Sequence, residues 1–263
     1  MVLNVAQGMA EGMAEGMAEG MAEGMAARID TRNPSSAQPI IRLTDVIRVY
    51  RDGESEAIAL RGIDLEIARG EVVAVMGRSG SGKSTLLQLI AASDTPTAGH
   101  VIVDGIDVSR ATEKERAALR GRTIGLVFQR QNLVPFLDLV ENVQLAATLA
   151  GVPVDARAAR AGLARVGLEE RADGRPGKLS GGEQQRAALA VVIVTRPAIL
   201  IADEITGELD SASAAALVDL VLDIREIDGT TVVLATHDPM VAARADRIVE
   251  LRDGRIVADG PAR

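Results

Sequence analysis

The apolar positions of this chain fall into two kinds of run. Short unbroken runs at 72–76, 124–128, 198–202 and 231–235 are too brief for helices and rich in β-branched residues, so they predict buried strands. Between them, the stretches 84–92, 137–150, 155–166, the residues after Ser180, and 212–224 carry helical patterning. Alternation over 40–49 predicts a first strand, followed by a polar turn at 51–56 and a second strand segment near 63–67. Two hairpins follow from their turns: strand 100–103 closes on Asp104-Gly105, and 248–251 meets 255–257 across Asp253-Gly254. Thr112, with Glu115 three residues on, opens a charged helix over 112–121 as a capping box. The stretch from about 112 to 178 therefore forms a mainly helical lobe inserted in an α/β sheet domain.

Residues 8–25 repeat Met-Ala-Glu-Gly almost without interruption. A glycine at every fourth position costs about 1 kcal/mol against alanine in a helix, so a stable isolated helix is not expected. With the linker 33–39, residues 1–39 are expected to be a low-complexity, mostly disordered tail. Residues 40–263 form the folded domain.

Composition narrows the function. The chain has 263 residues, 47% of them hydrophobic and 25% charged, which suits one large domain or a domain with a lobe. A net charge of −8 and only three aromatics, Tyr50, Phe128 and Phe136, oppose a nucleic-acid partner, which would call for a basic face and stacking platforms. The absence of cysteine removes disulfides and thiolate metal sites. The longest apolar run, 187–194, is far short of a membrane span, so any membrane role has to come through a partner.

The chemistry concentrates after the strand at 72–76. Gly77-Arg78-Ser79-Gly80-Ser81-Gly82-Lys83-Ser84-Thr85 fits G-x-x-x-x-G-K-[ST] between a strand and a helix. Such a turn aims backbone N–H groups and a helix N-terminus at one centre, a cradle for phosphates. Lys83 would neutralise the β and γ phosphates, and the Ser84 hydroxyl would ligate Mg²⁺. Of 29 Lys and Arg only Lys83, Lys114 and Lys178 are lysine, so a chain that otherwise uses arginine has put a compact ammonium in this loop. Asp203 and Glu204 follow a buried strand, where carboxylates face the ligand crevice of an α/β sheet. Asp203 is placed to hold the Mg²⁺ shell through water, and Glu204 to take a proton from an attacking water. Ser180, with Glu183 three residues on as a capping box, opens another helix, and Gly181 and Gly182 at its mouth leave bare N–H groups, a second anion contact that another chain could supply. His237 lies where strand ends converge. Tyr50 is either a strand aromatic packed on a neighbour or, at the rim of a nucleotide site, a platform for adenine.

Together these segments resemble the nucleotide-binding subunit of ATP-binding cassette transporters, over roughly residues 40–260. GRSGSGKST is similar to Walker A, VFQ to the glutamine loop, LSGGEQQR to the family signature, ILIADE to Walker B, GELD to the D-loop and ATHD to the switch histidine. NLVPFLDLVENV and VELRDGRIV resemble the subgroup that serves lipoprotein-release, macrolide-export and cell-division permeases. The resemblance implies a P-loop NTPase fold with a mixed-sheet core, an antiparallel β subdomain and an inserted helical subdomain. It also implies ATP and Mg²⁺ as cofactors. Tyr50 would stack on adenine, residues Gly77 to Thr85 hold the phosphates, and Ser84 with Gln129 ligate the metal. Glu204 would activate water, His237 contact the γ-phosphate and Asp210 link two sites. Ser180, Gly181 and Gly182 would close on ATP held by a second copy, giving a head-to-tail dimer. That dimer would hydrolyse ATP and drive a separate integral-membrane permease from the cytoplasmic face of the membrane. The alternative is a cassette ATPase with a non-transport role in cell division, regulation or structure. Four positions depart from the family pattern: Ile205 replaces a usual proline, Val191 an arginine, and Ala91-Ala92 a pair often glycine. The run 191–194 has poor helix propensity unless buried.

Overall fold

The computed structural model describes residues 38–53, 55–128 and 133–262. The repeat at 8–25 and the linker, and with them the expectation of a disordered tail, lie outside the described residues, as does Gln129. The long amino-terminal hairpin pairs β1 (Ile41–Asp52) with β2 (Ser55–Ile67), and β4 (Ala98–Val103) with β5 (Ile106–Asp107) extends it into a four-stranded antiparallel sheet, order β2-β1-β4-β5. Here the structure corrects the expected turn at 51–56. The ladder runs through Tyr50↔Ala57, Arg51↔Glu56 and Asp52↔Ser55, so strand β2 begins eight residues before the expected 63. Polar side chains on an exposed hairpin end look like loop in sequence, yet main-chain pairing carries the strands through them.

A second, six-stranded sheet has the order β10-β9-β3-β8-β7-β6 and is parallel except at β10. Its strands are β3 (Val72–Met76), β6 (Ile124–Phe128), β7 (Ile199–Asp203), β8 (Thr231–Thr236), β9 (Arg247–Arg252) and β10 (Arg255–Pro261). Both faces of its central strands are covered, which is why they read as continuous apolar runs. Alternation then divides each strand between two cores. Val72, Ala74, Leu200, Ala202, Val232 and Leu234 face one, and Val73, Val75, Ile199, Ile201, Val233 and Ala235 the other. The second core also takes α1 (Lys83–Ile90) and the antiparallel sheet.

The first core takes α3 (Leu139–Leu149), α4 (Ala156–Arg165), α5 (Gly181–Ile193) and α6 (Ser211–Asp228), while α2 (Glu113–Thr123) leads into β6 and α7 (Pro239–Ala242) follows β8. Within the range 112–178, the strand expected at 124–128 is β6, and it pairs with β7 in the main sheet. Ile193 is fully buried and Val191, Val192 and Val194 pack against the same core, which offsets the low helix propensity of that run. Ile205 is also buried there. Ala92 is left-handed at φ 54°, the conformation a glycine would adopt without strain, and its carbonyl accepts from Arg120 at 2.6 Å. No helix among the described residues is long and apolar enough to cross a membrane.

Candidate functional site

Parallel pairing brings the carboxyl ends of four strands level: Met76 lies opposite Thr236, and Phe128 and Ala235 lie opposite Asp203. The residues just past these ends, Gly77, Glu204 and His237, therefore share one edge of the sheet. Gly77 requires the absence of a side chain, since a Cβ there would come within 2.3 Å of the Leu251 carbonyl oxygen and 2.5 Å of the Ser81 hydroxyl.

The helix that follows begins differently from the rest. Its N-cap is Gly82, at φ 107°, and no side chain caps it. Every other α-helix of the described residues opens on an Asp, Ser or Thr side chain that accepts from its first turn. The first-turn N–H groups of α1 are left for a ligand, and with the helix dipole they suit an anion. Lys83 is 5% exposed, and its ammonium donates to the carbonyls of Gly77 (2.8 Å) and Arg78 (3.3 Å) and lies 3.5 Å from Glu204 Oε1. That carboxylate oxygen is also 3.7 Å from His237 Nδ1. Glu204 has a left-handed backbone, φ 50°, with its N–H donating to Ala235 O at 3.0 Å. A non-glycine residue in this region carries strain of about 1–2 kcal/mol, which the surrounding strands have to offset.

Beside them, the Ser84 hydroxyl donates a hydrogen bond to Asp203. Burial pushes the Asp203 carboxyl above its ordinary value; the Ser84 bond and Lys83 oppose this, and Glu204 adds to it. A half-buried carboxylate paired with a hydroxyl is an oxygen-donor set that fits a hard, partly hydrated cation such as Mg²⁺.

A cleft of about 610 Å³ is lined by Tyr50, Ala59, Ser79, Gly80, Gly82, Lys83, Ser84, Thr85, Phe128, Asp203 and Glu204. Gly77, Arg78 and Ser81 instead line a second groove, of about 900 Å³, with His237. Ser180, Gly181, Gly182 and Asp210 line neither. Ser180 caps α5, accepting from Glu183 N (3.3 Å), while its own N–H donates to the Glu183 carboxylate (2.8 Å), which lowers the Glu183 pKa. Asp210 caps α6 through the amides of Ala212 and Ser213. Those two helix mouths are neighbours, with Gly182 facing the Ser213 side chain and Gly181 facing Leu209. Sequence reasoning missed Ala59, which lay in the unrecognised part of β2. It also missed the groups that hold Tyr50, whose hydroxyl reaches Asp94 at 3.0 Å and Gln88 at 3.4 Å.

The profile described as ABC transporter matches residues 60–207. The macrolide export ATP-binding/permease protein MacB 1/2 of Paracoccus denitrificans is 48% identical over 223 residues, 84% of this chain and 33% of that protein. MacB of Hyphomonas neptunium is 45% identical, over 84% of this chain and 34% of that protein. This chain thus spans about a third of the length of these relatives. Among solved structures, the dimeric post-hydrolysis state of the ATP-binding cassette MJ0796 bound to ADP and Pi is 38% identical, with a TM-score of 0.79, covering 85% of this chain and 99% of that one. The cassette cbiO1 of Clostridium perfringens, part of the ABC transporter complex cbiONQ, is 28% identical with a TM-score of 0.76, covering 86% and 90%.

Proposed function

This chain belongs to the ABC transporter family and is an ATP-binding cassette ATPase, and from that premise we propose that it hydrolyses ATP between two copies of itself and thereby drives a membrane permease. The observation that carries the proposal is the uncapped α1 N-terminus beside the Lys83–Glu204–His237 cluster at the strand ends.

In this reading Tyr50 stacks on adenine. The amides of residues 77–85 and the Lys83 ammonium hold the phosphates, stabilising charge that grows on the γ-phosphoryl oxygens. Ser84, Gln129 and, through water, Asp203 would hold Mg²⁺, which when bound neutralises phosphate charge. Glu204 accepts the proton of the attacking water, and His237, in contact with Glu204, reaches the γ-phosphate. The helix mouth at Ser180, Gly181 and Gly182 lines neither groove of its own chain, which supports its acting on ATP held by a second copy, with Asp210 beside it linking the two sites. One structural neighbour is a cassette dimer with ADP and Pi, a further support. The relatives named above carry ATP-binding and permease functions under one name, which supports a permease as the driven partner and an inner-face membrane location through it. Residues 40–263 would act as the cassette and residues 1–39 as an appendage.

The test compares the wild-type chain with Glu204→Gln. The variant should bind ATP, lose at least about a hundredfold in turnover, as expected for removal of a general base, and accumulate as an ATP-dependent dimer in light scattering. Equal turnover, or a variant saturated with ATP that stays monomeric beside its permease, would overturn the proposal.

A further inference from the structure

We propose that Asp94 is a positioning residue for the nucleotide base: it clamps Tyr50 and Arg48 so that the tyrosine presents one fixed, open ring face to the cleft. The inference rests on the reading of Tyr50 as the adenine platform and adds the device that orients it.

Tyr50 and Arg48 are two residues apart on β1. The Arg48 guanidinium carbon lies 4.5 Å from the centre of the Tyr50 ring, a cation stacked on one face. Tyr50 lines the cleft and Arg48 does not. One face of the ring is therefore covered by the cation, and the other is left for a ligand.

Asp94 arrives from far along the chain, four residues beyond the end of α1. Its Oδ2 accepts from the Tyr50 hydroxyl at 3.0 Å and from Arg48 Nε at 2.8 Å. Its Oδ1 meets Arg48 Nη2 at 2.8 Å and accepts from the Thr95 amide at 2.7 Å. A carboxylate has about four acceptor positions, and these four donors occupy them. The Arg48 fork is held in two places, the geometry in which arginine loses least freedom per bond formed. Both side chains of the pair are about four-fifths buried, so solvent screens them less than an exposed pair.

Two consequences follow for a bound base. The hydroxyl bond fixes the tip of the side chain and the guanidinium stacked on one face holds the ring plane, so stacking requires no further ordering of the platform. The cation behind the ring draws on its π density, which favours an offset stack with the electron-rich face of a purine. Because Asp94 follows α1, the base platform is tied to the same rigid helix whose other end carries the phosphate loop.

The chain holds one tyrosine and no tryptophan, so its tyrosine emission reports this residue alone. ATP titrated into the full-length protein should change that emission, and kcat and KM for ATP are measured alongside. For Asp94→Ala the expected result is a KM raised about five- to tenfold, with kcat within about twofold and a smaller ATP-induced emission change. Asp94→Asn, which keeps an acceptor for the Tyr50 hydroxyl, should recover part of the loss. Arg48→Met, which leaves the hydroxyl bond intact, should raise KM in the same direction and serves if Asp94→Ala does not fold. In a Tyr50→Ala background, Asp94→Ala should raise KM no further, because its effect passes through the ring. Additive effects in that pair, or an unchanged KM in Asp94→Ala where Tyr50→Ala raises it, would overturn the inference and leave the adenine platform standing. An unchanged KM in Tyr50→Ala would remove the platform itself.

Discussion

Gly125, on β6, lies under the end of the helix that begins at Ser180. A Cβ added there would fall 2.1 Å from Val192 Cγ1 and 3.0 Å from Pro197 Cγ. The valine cannot simply turn aside, because a β-branched side chain within a helix has essentially one χ1 rotamer. The proline ring is fixed as well. Gly125→Ala therefore forces α5 and β6 apart, and overpacking of this kind costs about 2–3 kcal/mol, the upper part of its usual range. Lower conformational entropy of the unfolded chain offsets under 1 kcal/mol of that. For a domain of this size, Tm should fall by roughly 5–10 °C. Val192→Ala by itself removes two methyl groups from a partly buried position, at about 1 kcal/mol. In the double variant the new methyl at 125 occupies the space that Val192 vacates, so stability should return to within about 1 kcal/mol of wild type, a coupling of about 2 kcal/mol. Urea denaturation of the four proteins of the cycle, followed by circular dichroism, measures this directly. Additive losses, or a Gly125→Ala midpoint equal to wild type, would refute the steric argument. The contact joins the strand that runs into the cleft at Phe128 to the helix whose mouth carries Ser180, so the same variants also test whether that junction is rigid.

Other variants probe the site and the termini. Lys83→Met keeps the buried hydrocarbon and removes charge-assisted bonds to phosphate, so ATP affinity by calorimetry should drop about ten- to a hundredfold with the thermal transition little changed; unchanged affinity would contradict the phosphate-cradle reading. The Ser213 hydroxyl, followed by the amides of Ser213 and Ala212, holds the Asp210 carboxyl below its ordinary value. A depressed carboxylate pKa contributes stability above the unfolded value that is lost as pH falls through the folded one. Asp210→Ala should therefore melt below wild type at neutral pH and approach it as pH falls below the ordinary carboxylate range; a gap of constant size from neutral to acid would dismiss the linkage. Deletion of residues 1–27 should leave ATP turnover unchanged, and a large loss would assign the Met-Ala-Glu-Gly repeat a working role.

Spacing within a few residues was enough to determine much of this protein. The capping boxes Thr112–Glu115 and Ser180–Glu183 form because both partners lie within one helical turn, so their bonds need nothing from the rest of the chain. The buried strands were legible because a sheet covered on both faces leaves unbroken apolar runs. The glycine-rich turn with Lys83 was legible because its residue types satisfy a local backbone demand. Only the tertiary structure decided what depends on register and packing across long separations. It extended β2 through polar residues, because main-chain pairing is indifferent to side-chain polarity. It divided the phosphate-loop residues between two grooves and set Glu204 between Lys83 and His237 on a left-handed backbone. It brought Asp94 to Tyr50 and Val192 to Gly125, since the contact between two residues forty or more positions apart is fixed by the sheets and helices that carry them.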